Sequence, residues 1–212
     1  MISLFRSQNL YKQLTALKGP QDAITALAFS VHGKFLAAVG PGGANVWNLG
    51  NNQSVPLMSL PGSIKVGVPG ATETSPEKKG FPALNWLYFS QRSRHVLLLG
   101  TVEGQLQIWD YIDERMAFEL TRKIVNITLA PGSVGHKQAL SVDVYPREVA
   151  VGSHAQIVVS YTSRSVLVGN LKADGDFKQK FLITLEEGFM PKTVRFDKTG
   201  NIIVFSMHGG IV

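Results

Sequence analysis

Five histidines, His32, His95, His136, His154 and His208, are the side chains best suited to hold a metal or carry a proton, and each falls in or beside a polar turn. No two have the i, i+4 helical spacing of a zinc site, so they read as surface or capping residues. Paired acids at Asp113-Glu114, Asp174 with Asp176, and Glu186-Glu187 have the types needed for general acid–base work. That work needs a shielded cleft that separates their pKa values, and each pair lies in a polar connection. Gly40-Pro-Gly-Gly43 is glycine-rich, yet a strand rather than a helix N-terminus follows it, which removes the amide dipoles that hold a phosphate. No Gly-x-Ser-x-Gly elbow occurs, and the absence of cysteine removes disulfides, thiolate zinc sites and cysteine nucleophiles. Trp47, Trp86 and Trp109 read as packing residues, whereas a tryptophan exposed on a rim would be an interaction anchor. The expectation is a protein with no catalytic, cofactor-binding or metal-binding residues, and not an enzyme.

The elements that would position these side chains come from a chain of 212 residues, 44% apolar and 17% charged, enough to bury a core. The longest aliphatic stretch, Val96 to Leu99, is far below the roughly 18 residues of a membrane span. Met1 to Arg6 lacks a signal-peptide core, because Arg6, Ser7, Gln8 and Asn9 follow at once. A cytoplasmic or nuclear protein is expected, in which the sequons at Asn52 and Asn126 have no role. The formal charge of +6 invites a nucleic-acid reading. The 21 basic residues are dispersed, however, with only Lys78-Lys79 and Arg122-Lys123 adjacent. A mildly basic, solvated surface follows.

Four segments repeat. Each opens with an alternating run that ends in an aromatic: Ile24 to Phe29, Leu84 to Phe89, Leu140 to Tyr145 and Pro191 to Phe196. Period-two alternation predicts a strand with unlike faces. A polar turn follows, then a nearly continuous apolar run at Phe35 to Val39, Val96 to Leu99, Ile157 to Val159 and Ile202 to Phe205, the pattern of a strand buried on both faces. In the third repeat this run is displaced by an insertion from Arg147 to Ala155. Tight turns precede third strands ending at Trp47-Asn48, Trp109-Asp110 and Gly169-Asn170, and polar fourth strands are expected at about Gln53 to Leu60, Arg115 to Leu120 and Phe177 to Leu185. The excess over a minimal repeat lies in Pro61 to Gly80 and Arg122 to Gly135; loop 61–80, rich in Gly, Pro, Ser and Thr, is expected to be flexible. Helical periodicity is weak throughout, so the class is all-β.

These residues resemble the WD-repeat β-propeller family, whose blades are four-stranded sheets with a Trp-Asp pair closing the third strand. Gly104-Gln-Leu-Gln-Ile-Trp109-Asp110 matches well, Ala44-Asn-Val-Trp47-Asn48 is a variant, and Val166-Leu-Val-Gly169-Asn170 has lost the tryptophan. Gly135-His136 fits the Gly-His pair that such repeats carry ahead of the first strand, while Gly19-Pro20 does not. The resemblance implies a hydrogen-bond network through a turn aspartate, which Gly42-Gly43, Glu103-Gly104, Ser163-Arg164 and Gly209-Gly210 lack, so apolar packing must compensate. It implies a single propeller domain over 1–212, an incomplete one, with blades at about 21–60, 81–120, 137–185 and 190–212. Three blades are complete and the fourth is partial. Tyr11 to Leu17 is expected as a lone outer strand, and the chain as part of a longer ring.

A propeller offers rigid sheets and variable rim loops, so the expected function is a protein–protein interaction scaffold binding other proteins or peptides. A nucleic-acid-binding propeller using Arg92, Arg94, Lys178 and Lys180 is the alternative. No cofactor and no membrane partner are expected, and an oligomer is expected if the propeller is not completed within one chain.

Overall fold

The structure, a computed structural model, describes residues 2–6, 12–18, 23–51, 54–61, 80–125 and 138–208. Its strands in chain order are β1 (Ile2–Arg6), β2 (Lys12–Leu17), β3 (Ala26–Phe29), β4 (Phe35–Gly40), β5 (Gly43–Asn48), β6 (Met58–Pro61), β7 (Ala83–Phe89), β8 (Arg94–Gly100), β9 (Gln105–Ile112), β10 (Ala117–Val125), β11 (Ala139–Tyr145), β12 (Glu148–Val149), β13 (His154–Tyr161), β14 (Ser165–Lys172), β15 (Phe177–Thr184), β16 (Phe189–Phe196) and β17 (Ile202–His208). No α-helix occurs among the described residues. Sheet one is β3-β4-β5-β6, sheet two is β7-β8-β9-β10 with β12 added beside β7, and sheet three is β11-β13-β14-β15. The hairpins β16-β17 and β1-β2 form two further, two-stranded sheets.

The apolar second strands explain the stacking. Every residue of β4 is buried, as is all of β8 except Arg94, because each strand contacts a neighbouring sheet on both faces. Phe35, Ala37 and Val39 of sheet one meet Leu84, Trp86, Leu97 and Leu99 of sheet two. Leu87, Phe89, Val96 and Leu98, on the opposite face of sheet two, meet Val142, Val144, Ile157 and Val159 of sheet three. Val158, Val166 and Val168 then meet Val194, Phe196, Ile202 and Val204 of the β16-β17 hairpin. Each such large side chain contributes about 1.5–3 kcal/mol when fully buried.

Several elements differ from the sequence expectations. The strand at Tyr11 to Leu17 is not alone: Lys12–Leu17 pairs antiparallel with β1, a partner hidden in the short segment before Arg6. Sheet two has five strands rather than four, because part of the third-repeat insertion, Glu148–Val149, pairs in parallel with Tyr88 and Phe89 and buries Val149. Strand β10 continues to Val125, four residues into the expected loop, held by pairs such as Lys123 with Gln107 and Ile124 with Leu106. In β3 the alternation has its large residues facing outward: Ala26 and Ala28 join the core, while Leu27 and Phe29 are exposed. Residues 62–79 of the expected flexible loop, together with Gly135-His136 and Gly209-Gly210, lie outside the described residues.

The tryptophan missing from the third repeat has a packing cause. A Cβ on Gly169 would collide with the Phe177 ring, so the β15 aromatic fills the space above β14 that a larger side chain at 169 would need.

Candidate interaction surface

Antiparallel neighbours alternate in direction, so the turns after the first and third strands of every sheet emerge at one rim. At this rim, between sheets two and three, lies a cleft of about 510 Å³. Its lining comes from the β7-β8 turn (Arg92, Arg94), the end of β9 and its following turn (Ile108, Asp110 to Glu114), β10 (Thr121, Arg122) and the β14-β15 turn (Ala173 to Gly175). An adjoining hollow of about 240 Å³ runs on to Gly152 and Ser153 at the turn before β13 and shares Arg92, Ala173 and Asp174 with the first. The two make one trough with Arg92 at its waist.

Local backbone chemistry fixes these walls. Arg92 and Ser93 take left-handed conformations, φ 69° and 48°, which curl the turn after β7 and cost on the order of 1 kcal/mol each. The single helical turn Asp113–Arg115 is closed by Met116 at φ 47°, whose amide donates to the Asp113 carbonyl at 3.1 Å. In the β14-β15 turn the Asp176 amide donates to Asp174 Oδ1 at 2.8 Å, which sets the Asp174 carboxylate at the trough edge.

Beneath the surface, Arg94 donates to Asp110 and to the Ala173 carbonyl, joining sheet two to sheet three. Asp110, the aspartate of the Trp-Asp pair, is buried and is the counter-ion of Arg94. At the inner strands a second polar link crosses the stack. Asn85 Nδ2 of β7 donates to Asp143 Oδ1 of β11 at 2.8 Å, and the Phe196 amide of β16 donates to Asp143 Oδ2 at 2.8 Å. One buried carboxylate therefore ties three successive sheets together.

The junction of sheets one and two is aromatic instead. Phe35 stacks on Trp86 with centroids 5.9 Å apart, and Trp86 Nε1 donates to the Ala28 carbonyl at 2.9 Å. His95 is buried edge-on to Phe35, with centroids 5.2 Å apart. Burial, reinforced by Lys34 and His32, pushes its pKa down to about 4, so the ring is neutral at pH 7. Lys34 lies 4.6 Å over the Tyr111 ring and donates to Asp113 Oδ1 at 3.2 Å.

Of the residues singled out by sequence, the structure brings Asp113, Glu114, Asp174, Arg92 and Arg94 to the trough. His32 and His95 stand near each other, centroids 6.2 Å apart, with His32 Nε2 3.8 Å from Glu148. His154 begins β13 and is exposed; His136 and the His208 side chain lie outside the described residues. Glu186 and Glu187 lie in the connection between β15 and β16. Among the described residues, no three or more of His, Cys, Asp and Glu are grouped to hold a metal. Gly40 to Gly43 forms the β4-β5 hairpin turn. Trp47 is buried with no partner for Nε1 among the described residues, and Trp109 Nε1 donates to Gln107 Oε1 at 3.0 Å. Lys178 and Lys180 sit on the outer strand β15. Asn85 and Asp143 carried no signal beyond being single polar residues inside strand runs.

No protein-family model and no curated protein matches the chain. Solved structures do. A chain in a structure titled "Crystal Structure of Mitotic Checkpoint Complex" is similar at 14% identity with TM-score 0.59, over 92% of this chain and 50% of that one. A protein from Lactobacillus plantarum is similar at 18% identity with TM-score 0.59, over 91% of this chain and 50% of its own. The chain therefore spans about half the length of these structures. With its three stacked sheets and the hairpin that continues the stack, it has the β-propeller fold. No helix among the described residues is long and apolar enough to cross a membrane.

Proposed function

We propose that this chain is a non-catalytic interaction scaffold of WD-type repeats, one domain over 1–212, that binds proteins or peptides in the cytoplasm or nucleus. The trough between sheets two and three carries the proposal: it is elongated, crosses two rigid sheets, and presents Arg92 and Arg122 without an ion-pair partner among the described residues. Of the other charges nearby, Arg94 pairs with Asp110, Asp113 with Lys34, and Asp174 accepts from the Asp176 amide, while Glu114 has no partner among the described residues. An extended peptide bearing carboxylates meets both free guanidinium groups, which favour planar, bidentate recognition. The solved neighbour from the mitotic checkpoint complex comes from a protein assembly, which agrees with a scaffold role.

Of the basic residues offered for nucleic-acid binding, Arg92 and Arg94 line the trough and Lys178 and Lys180 do not. Arg94 is consumed internally, and Lys178 and Lys180 lie on β15. The test is a photo-crosslinking residue at Gln91 in the protein, with captured partners identified by mass. Peptides are expected as the product, reduced about tenfold or more by Arg92→Glu or Arg122→Glu. Capture unchanged by both charge reversals overturns the proposal.

A further inference from the structure

Most charges around the trough are paired within the chain. Arg94 takes Asp110, Lys34 takes Asp113, Arg115 takes Glu119 and Lys172 takes Asp176. Four charged groups of the lining are left without an opposite charge among the described residues: the guanidinium groups of Arg92 and Arg122 and the carboxylates of Glu114 and Asp174. Asp174 accepts the Asp176 amide through Oδ1, which leaves Oδ2 for another donor. The larger hollow is therefore balanced rather than basic, its Arg92, Arg94 and Arg122 set against Asp110, Asp113, Glu114 and Asp174, with Lys34 holding Asp113. A ligand that covers this lining removes water from all the open charges at once. A purely acidic ligand satisfies the two arginines but lays like charge on Glu114 and Asp174, and burying a charge without its opposite is costly.

The placement of these groups sets the order of charges in the ligand. Arg92, on the β7-β8 turn of sheet two, and Asp174, on the β14-β15 turn of sheet three, line both hollows and so flank the waist from opposite sheets. Arg122 on β10 and Glu114 in the turn before it line only the larger hollow. Successive side chains of an extended peptide point to opposite sides, so neighbouring residues of opposite charge meet Arg92 and Asp174 together. We propose that the occupant of the trough is an extended peptide of mixed charge, its acidic residues on Arg92 and Arg122 and its lysine or arginine residues on Asp174 and Glu114. This rests on the reading of the trough as a peptide groove and adds the selection of cations to it. Glu114 and Asp174 are then specificity-determining residues that reject uniformly acidic segments.

The test is selection of a random peptide library, displayed on phage, against the 212-residue chain, followed by fluorescence polarisation with a synthetic peptide of the recovered consensus. The consensus is expected to carry acidic and basic residues side by side. Replacing its basic residues by glutamate is expected to weaken binding about tenfold or more. Glu114→Gln/Asp174→Asn is expected to erase that difference while acidic residues are still selected; asparagine at 174 keeps an oxygen for the Asp176 amide. A consensus that is acidic without basic residues, or a glutamate-replaced peptide that binds as tightly, overturns the proposal, and leaves the peptide groove standing if Arg92→Glu or Arg122→Glu still weakens binding. No selected consensus, or binding untouched by both charge reversals and by the double variant, overturns the groove and this proposal together.

Discussion

The junction of sheets one and two and the junctions on either side of sheet three solve one problem with different chemistry. The first is held by Phe35, Trp86, Tyr111 and Phe118, with Trp86 Nε1 on the Ala28 carbonyl as a polar pin. The others place charge where water is excluded: Arg94 with Asp110 and the Ala173 carbonyl, and Asp143 with Asn85 and the Phe196 amide. Aromatic packing is tolerant of small shifts, whereas a buried carboxylate with fixed donors fixes the relative position of two sheets. The trough lies above a polar junction, where its shape is set by directional bonds.

Breaking the polar junctions is therefore expected to cost most. Arg94→Met leaves Asp110 as an uncompensated buried charge and should destabilise by about 4 kcal/mol, read by urea melts, with Arg94→Met/Asp110→Leu recovering most of the loss. Asp143→Ala strands the Phe196 N–H and leaves the Asn85 amide only the Val142 carbonyl, and should cost about 2 kcal/mol, with accelerated hydrogen exchange in β16 ahead of β8.

The aromatic junction holds a histidine whose protonation links stability to pH. The folded chain holds His95 neutral to about pH 4, while the unfolded chain protonates it near 6.5. Between those values the unfolded state binds more protons, so stability is full above pH 6.5 and falls as pH drops toward 4, by on the order of 2 kcal/mol. His95→Phe should flatten that slope in thermal melts across this window. The smallest effect is expected at Tyr161, whose hydroxyl is buried without a partner among the described residues and whose pKa burial pushes up. Tyr161→Phe removes an unsatisfied group and should leave melting unchanged or raise stability by up to about 1 kcal/mol.

Much of this stack was legible in the chain. The runs at Phe35 to Val39 and Val96 to Leu99 announced strands buried on both faces, and Trp109-Asp110 marked a third strand, although that strand runs on to Ile112. Alternation could not say which face of β3 turned inward, because Leu27 and Phe29 obey the same period as Ala26 and Ala28. The added strand at Glu148–Val149 is only two residues long, too short for any period to register. The trough was illegible for a different reason: Arg92, Asp113, Arg122 and Asp174 belong to separate turns and strands of two sheets, and only stacking makes them neighbours. The acids read as solvated loop residues do lie in turns, but three of them ring one cleft.

Hydrogen exchange of the protein, with and without its captured partner, tests the scaffold directly. Slowed exchange is expected at residues 90–94, 111–115 and 172–176 on binding, while the amides of β4, β8 and β13 stay protected in both states. Protection gained elsewhere with the trough unchanged, or central strands that exchange independently of one another, would contradict a rigid stack that binds through its rim.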